Sequence, residues 1–406
     1  MPRRALQCRF AAEEIIDSGL ALYFPGPASF TGEDVLELQG HGNPLVLADL
    51  VAACVRLGAR PARPGEFTER SFLNGKMDLA QAEAVADLID AGSSVAARAA
   101  VRSLSGAFSK RVEEFCTHLR ELRTLVEASL DFPDEGLDVL DQYDIPGRLG
   151  QALRALEDIR NVARQGVLLK EGARIVIVGE PNVGKSSLLN ALADEDLAIV
   201  TDIPGTTRDT IRAETVIEGV PIHVIDTAGL RQTEDPVEQA GIERGRAASV
   251  GADLALVVVD ARLPVGDAVN RVEGHATLPL LKLIVRNKSD LVIDVPVSEV
   301  DGPDWGILVS AVTGSGITEL RQEILRSIGW GESGESEGLF IARERHLAAM
   351  ERARSHIEAA IVLLQGEESL LAEELRYAES SLEGIVGKKS PDDLLGEIFS
   401  RFCIGK

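Results

Sequence analysis

The sequence predicts an α/β domain inserted into a discontinuous α-helical domain, with an α+β domain ahead of both. Three observations carry this. Strand-like apolar runs alternate with helix-like segments from Ala173 to Ile328, the pattern of a mainly parallel sheet. Helical periodicity lies on both sides of that region. Phe115, Leu119, Leu122 and Val126 stand four, three and four apart, and Leu347, Met350, Ile357, Ile361 and Leu364 line a second face. Each stripe alone would face water, and packing the two halves together buries both. The polar run from Gly331 to Gly338 is a linker. The expected divisions are therefore 1–71 for the first domain, 72–168 and 338–406 for the helical halves, and 169–330 for the insert.

The elements follow in order. Leu20 to Phe24 is strand-like, Pro25-Gly26-Pro27 breaks it, and Asp34 to Leu38 alternates again. Gln39-Gly40-His41-Gly42 reads as a structural turn, and Leu45 to Leu57 as a helix. From Leu73 to Gln165 the period is helical, with Pro133 and Pro146 as interruptions.

Next comes Arg174-Ile175-Val176-Ile177-Val178, then Gly179-Glu180-Pro181-Asn182-Val183-Gly184-Lys185-Ser186, then the helix-like Ser187 to Leu192. Strand, glycine loop and helix at this spacing form a P-loop. Such a loop curls backbone N–H groups around phosphate, and the helix N-terminus adds its positive end. Lys185 offers a point charge to the β- and γ-phosphates, and Ser186 a hydroxyl to Mg²⁺.

Three later segments specify GTP. Asp226-Thr227-Ala228-Gly229 follows the apolar run Ile222 to Ile225. An aspartate there can hold the second shell of Mg²⁺, and Gly229 lets a backbone N–H approach the γ-phosphate. Asn287-Lys288-Ser289-Asp290 follows Leu281 to Val285. Guanine presents N1–H beside an exocyclic amine, and the Asp290 carboxylate can accept both; adenine has no such pair. Ser310-Ala311-Val312 follows Gly306 to Val309, where backbone N–H groups can meet the guanine carbonyl. The insert is thus expected to be a P-loop G domain.

Composition limits the alternatives. With 42 basic and 65 acidic residues in 406, the net charge is −23, which argues against a general nucleic-acid coat. Cys8, Cys54, Cys116 and Cys403 show no CxxC spacing, pointing to a reducing compartment and no structural zinc. No run approaches the roughly 20 apolar residues of a membrane span, and the first twelve residues carry no secretory signal. The expectation is a cytoplasmic protein.

Catalysis departs from the small GTPases. The residue after Asp-x-x-Gly is often a glutamine that positions water; here it is Leu230. Arg208 and Arg231 are nearby candidates for a charge-neutralising guanidinium. Glu238 lies in the loop Arg231 to Gln239 and reads either as a solvated surface residue or as one that reaches the site on closure. Asn182 reads either as a turn residue or as an amide ligand to a monovalent cation, whose charge would replace the missing guanidinium.

These motifs, with Asp202-Ile203-Pro204-Gly205-Thr206-Thr207-Arg208-Asp209, Ser29 to Asp34, Arg63-Pro64-Gly65-Glu66-Phe67 and the terminal Phe402-Cys403-Ile404-Gly405-Lys406, resemble the MnmE (TrmE) family of tRNA-modification GTPases over nearly the full length. The resemblance implies a homodimer joined through its N-terminal domains and an FAD-dependent partner, MnmG. It implies that the two install an aminomethyl or carboxymethylaminomethyl group on C5 of the wobble uridine of certain tRNAs, the GTP cycle driving domain rearrangement. By resemblance, K⁺ sits between Asn182 and Thr201, Ile203 and Thr206; Thr207 joins Ser186 on Mg²⁺; and Glu238 orients water. Val183 to Ser187, Thr201 to Thr207 (with Asp202, Pro204 and Gly205), Asp226 to Gly229, Asn287 to Asp290 and Ser310 to Val312 make up the nucleotide site. K⁺ also implies approach of two G domains, so activation is by dimerisation. A formyl- or methylene-tetrahydrofolate donor is implied at Glu37, Lys76 and Lys406. Family members begin with one more strand-rich segment, carrying an arginine of the folate site, so the first domain is expected to be shortened. Cys-Ile-Gly-Lys superficially matches a prenylation box, but Gly405 is not aliphatic. Cys403 is either a small buried hydrophobe or, by resemblance, a catalytic group near the modification site. The competing function, a GTP-regulated ribosome or RNA assembly factor, would be expected to carry a basic RNA-binding domain.

Overall fold

The computed structural model describes residues 3–131, 142–193, 211–226, 251–273, 279–292, 306–331, 338–364, 368–388, 392–400 and 402. Their contacts fall into two compact units: residues 1–90, 100–157 and 348–406 in one, 91–99 and 158–347 in the other.

The first unit opens with the antiparallel strands β1 (Leu6–Ala11), β2 (Ile15–Phe24) and β3 (Val35–Gln39). Asp17 accepts from the backbone N–H of His41 at 2.7 Å and lies 2.8 Å from its Nδ1, which ties the bend at Gly42 to β2. Helix α1 (Pro44–Arg56) starts where Asn43 accepts from the Leu45 N–H at 2.9 Å and Pro44 takes the first helical position. Helices α2 (Glu66–Leu73), α3 (Leu79–Asp90), α4 (Ser94–Leu104) and α5 (Ala107–Asp131) follow.

Phe115, Leu119, Leu122 and Val126 are all buried, as their spacing predicts. Their main partner is not the helix that carries Leu347 and Met350. Helix α5 packs chiefly along the helix Glu368–Val386. That helix buries Leu371, Leu375, Ala378, Leu382 and Ile385, a stripe the sequence reading passed over. Arg120 and Arg123 also reach the buried Glu379 across this seam. Pro146 does not interrupt a helix. It sits in the first turn of α6 (Ile145–Glu171), where its missing N–H costs nothing.

The second unit is built on a six-stranded sheet: β4 (Ala173–Val178), β5 (Ile211–Ile217), β6 (Val220–Asp226), β7 (Leu254–Asp260), β8 (Lys282–Asn287) and β9 (Ile307–Leu308). The spatial order is β5-β6-β4-β7-β8-β9, antiparallel between β5 and β6 and parallel elsewhere. Strands β4 and β7 read as continuous apolar runs because a parallel sheet is covered on both faces. Val176, Val178, Ala255, Val257 and Val259 form one side of that core. Helices α7 (Lys185–Ala193) and α8 (Val265–Glu273) lie between strands, and α9 (Ile317–Ser327) follows β9. From residue 348 the chain belongs to the first unit again, with most of α10 (Glu344–Leu363), then α11 (Glu368–Val386) and α12 (Asp392–Ser400). Among the described residues no helix is long and apolar enough to cross a membrane.

Candidate functional site

In an open parallel sheet, ligands bind beyond the carboxyl ends of the strands. Here those ends carry every sequence-predicted nucleotide residue that the structure describes. Strand β4 ends at Val178, residues 179–184 turn, and α7 begins at Lys185. Asn182 and Gly184 both take left-handed backbone, φ 63° and 91°. At Gly184 the turn needs glycine for a second reason: a Cβ there would lie 2.3 Å from Asn287 Nδ2. Lys185 folds back over the loop, its Nζ donating to the carbonyls of Gly179 at 2.8 Å and Glu180 at 2.9 Å. The ammonium is thus held at the mouth of the loop, where phosphate oxygens would replace those carbonyls. Ser186 and Ser187 are exposed in the first helical turn, and Val183 is buried beneath. At the other end of α7, Arg321 donates to the carbonyls of Ala191 and Leu192 at 3.3 and 3.1 Å. That pairs a guanidinium with the negative end of the helix.

The base side is knitted to this loop. Asn287 closes β8 and is 2% exposed. Its Nδ2 donates to the Val183 carbonyl at 2.8 Å, and its Oδ1 accepts from the Ala311 N–H at 3.1 Å. One amide therefore joins the phosphate loop to the loop after β9. Ser310 donates to Asp290 Oδ1 at 2.6 Å, which fixes the carboxylate while Asp290 itself stays exposed. Val312 is exposed beside Ala311. Asp226 ends β6, in register opposite Ile177, two residues before Gly179.

The sequence reading missed Asp260. It closes β7, is 6% exposed, and takes hydrogen bonds from Arg262 and Lys288. The Arg262 hydrogen bonds, then that of Lys288, hold its carboxyl well below the usual range although burial opposes this. A signal was present: the single acidic residue at the carboxyl end of an otherwise apolar run, Leu254 to Val259.

Of the remaining expected site residues, Thr201, Asp202, Ile203, Pro204, Gly205, Thr206, Thr207, Thr227, Ala228, Gly229, Glu238, Cys403 and Lys406 lie outside the described residues, as do Arg208, Leu230 and Arg231. In the first unit, Glu37 is exposed on β3 and Lys76 is exposed in the turn after α2. Nearby, Glu66 is 4% exposed. It accepts from Arg60, from the Arg63 N–H at 2.8 Å and from Arg70 at 2.7 Å. These bonds, those of Arg60 first, keep its carboxyl far below the usual range. The cluster borders a cavity of about 260 Å³ shared with Thr31, Leu36 and Phe67. Gly65, φ 66°, faces the chain's other end: a Cβ there would lie 2.7 Å from the Phe399 carbonyl and 3.1 Å from Phe402 Cβ.

A P-loop on the central strand, an Asn-Lys-Ser-Asp loop on the next but one and a Ser-Ala-Val loop at the edge define a P-loop protein of the G-domain class. The comparisons narrow this further. The family pattern described as "GTP-binding protein TrmE N-terminus" matches residues 1–76, and "MnmE helical domain" matches residues 79–403. A protein named tRNA modification GTPase MnmE from Thiobacillus denitrificans is 55% identical over all of this chain and 90% of its own length. Its namesakes from Laribacter hongkongensis and Chromobacterium violaceum are 54% and 53% identical with the same coverage. The chain belongs to the MnmE (TrmE) family.

Proposed function

We propose that this chain is a GTP hydrolase that acts in tRNA modification. The observation that carries the reading is the Asn287 bridge between the phosphate loop and the base loop, with Asp290 fixed by Ser310 for the guanine edge. Lys185 would exchange its two carbonyl partners for the β- and γ-phosphates. Ser186, exposed at the head of a helix, fits a hydroxyl ligand to Mg²⁺, with Thr207 as its partner. When bound, the ion neutralises phosphate charge. Asn182, exposed in left-handed backbone within the loop, fits an amide ligand to K⁺ alongside Thr201, Ile203 and Thr206. When bound, that ion supplies the positive charge a guanidinium supplies elsewhere. Glu238 orients the attacking water.

The finer reading extends the family resemblance. The protein works in the cytoplasm as a homodimer with the FAD-dependent partner MnmG, adding an aminomethyl or carboxymethylaminomethyl group to C5 of the wobble uridine. Leu47, Val51 and Val55 on α1 form an exposed apolar face, which supports pairing of two N-terminal domains. Glu37, Lys76 and Lys406 hold the tetrahydrofolate derivative, and their opposite charges suit a pteridine edge and a glutamate tail. Packing of Phe402 on α2 and α3 supports a working position for Cys403 in that domain.

Single-turnover hydrolysis by the purified chain tests the core of this. GTP should be consumed and ATP should not, and the rate should be much higher in KCl than in NaCl. The Asn182→Ala variant should flatten the salt difference. Equal rates in the two salts would remove K⁺ from the mechanism, and equal use of ATP would remove the guanine assignment.

A further inference from the structure

We infer that Asp260 is a positioning residue for guanine recognition, acting through Lys288. The inference rests on the reading that Asn287 to Asp290 hold the base. Lys288 stands between the residue that bridges the two loops and the residues that read the base. Its backbone is left-handed, φ 67°, which costs a side-chain-bearing residue on the order of 1–2 kcal/mol in isolation. Something must hold that turn. The Asn287 side chain is committed to Val183 and Ala311, and the Ser289 N–H to the Val309 carbonyl at 3.0 Å. Ser310 holds the Asp290 carboxylate from one side and the Leu291 N–H bonds the Lys288 carbonyl at 3.1 Å, so the rotation of the peptide at Lys288 sets the backbone from which Asp290 reaches the base.

Asp260 supplies the hold. Its Oδ2 accepts from Lys288 Nζ at 2.9 Å and from Arg262 Nη2 at 2.7 Å. Its Oδ1 accepts from Arg262 Nε at 2.9 Å and from the Arg262 N–H at 3.1 Å. Two further bonds repeat the connection: the Ala261 N–H donates to the Asn287 carbonyl at 2.8 Å, and the Arg286 guanidinium Nη2 donates to the Ala261 carbonyl at 3.1 Å. A nearly buried carboxylate with four donors is a fixed point, because every lone pair is directed. Arg262 anchors it from one side and Lys288 is tethered from the other. Removing the charge at Asp260 frees the ammonium, lets the turn relax and moves Asp290 away from the position that accepts two guanine hydrogens at once.

The test is the ratio of GDP to IDP affinity, measured by calorimetry on the full chain. IDP lacks the exocyclic amine, so the ratio reports whether Asp290 reaches both guanine donors. A merely structural role would weaken both nucleotides alike and leave the ratio unchanged. Asp260→Asn should lower the ratio by roughly three- to tenfold, part of the value of one hydrogen bond to a charged group. Lys288→Met keeps the stem and the Asp260–Arg262 pair, and should lower the ratio by a similar factor. The double variant should add nothing further. A wild-type ratio in Asp260→Asn overturns the proposal. If that variant does not fold, Lys288→Met decides: a lowered ratio upholds the tether and an unchanged one overturns it. If the wild-type chain itself does not prefer GDP, the guanine assignment fails and takes the proposal with it.

Discussion

Replacing Asn287 by alanine should loosen the nucleotide site before any nucleotide is present. The substitution removes two bonds at once, to the Val183 carbonyl at 2.8 Å and from the Ala311 N–H at 3.1 Å. Both partners are backbone groups that cannot move away, and Val183 is 5% exposed. A buried backbone group left without a partner costs about 1–3 kcal/mol, so the pair sets a ceiling of about 6 kcal/mol. Water entering beside the half-buried Gly184 recovers part of this, leaving a loss of about 3 kcal/mol. For a unit of this size that corresponds to a melting point lower by roughly 6–12 °C. Trp330 belongs to the unit that contains the sheet, so its emission follows the right transition. Nucleotide-free protein should be melted, and GDP affinity measured separately. The affinity should fall about tenfold or more, because the phosphate and base loops no longer hold one another. The Asn287→Asp variant keeps the Ala311 bond but points an oxygen at the Val183 carbonyl, and should melt no higher than Asn287→Ala. A melting point within 2 °C of wild type, with GDP affinity intact (both criteria of roughly one hydrogen bond or less), would refute the bridge.

Further outcomes follow from the same geometry. Asp290→Asn should keep the hydrogen bond from Ser310 yet present an amide to guanine, weakening GTP binding by roughly 2–4 kcal/mol; xanthosine triphosphate should recover part of the loss in a competition assay. Glu238→Ala should bind GTP near normally and hydrolyse it roughly 100-fold more slowly or worse in single turnover, and a wild-type rate would return Glu238 to the surface. Burial pushes the Cys116 thiol up to about 12, so its thiolate is scarce at pH 8 and gains only as pH rises toward that value. Iodoacetamide at pH 8 should label Cys8 and Cys54 well before Cys116, read by peptide mass spectrometry; equal labelling would mean that the α5 seam opens freely.

The G domain was the most legible part of the chain because its signals are local. Strand, glycine loop and helix around Lys185 are contiguous, and each base-reading motif directly follows its own strand. The observed strands Ala173–Val178 and Lys282–Asn287 differ from the expected ones by one or two residues at an end. The edge strand at Ile307–Leu308 is shorter than its apolar run suggests, because only Ile307 and Leu308 pair with β8. What escaped were partners distant in sequence. Helical periodicity identifies a buried face but not the face it meets, which is why α5 was matched to the stripe of Leu347 and Met350 instead of that of Leu371 and Leu375. Asp260 had a local signal, an acidic residue closing an apolar run, but that marks only a strand end; what makes it a tether is Lys288, 28 residues away.

The α5 seam has a consequence for synthesis. Helix α5 ends at Asp131, and its main packing partner begins only at Glu368. At translation speeds of about 5–20 residues per second, the buried stripe of α5 waits roughly 12–50 s for its cover. The strands β4 to β9, by contrast, leave the ribosome consecutively and can assemble while that helix is still bare. The nascent chain thus carries a finished sheet beside an unsatisfied apolar helix, the state in which a chaperone or a second nascent copy has most to bind.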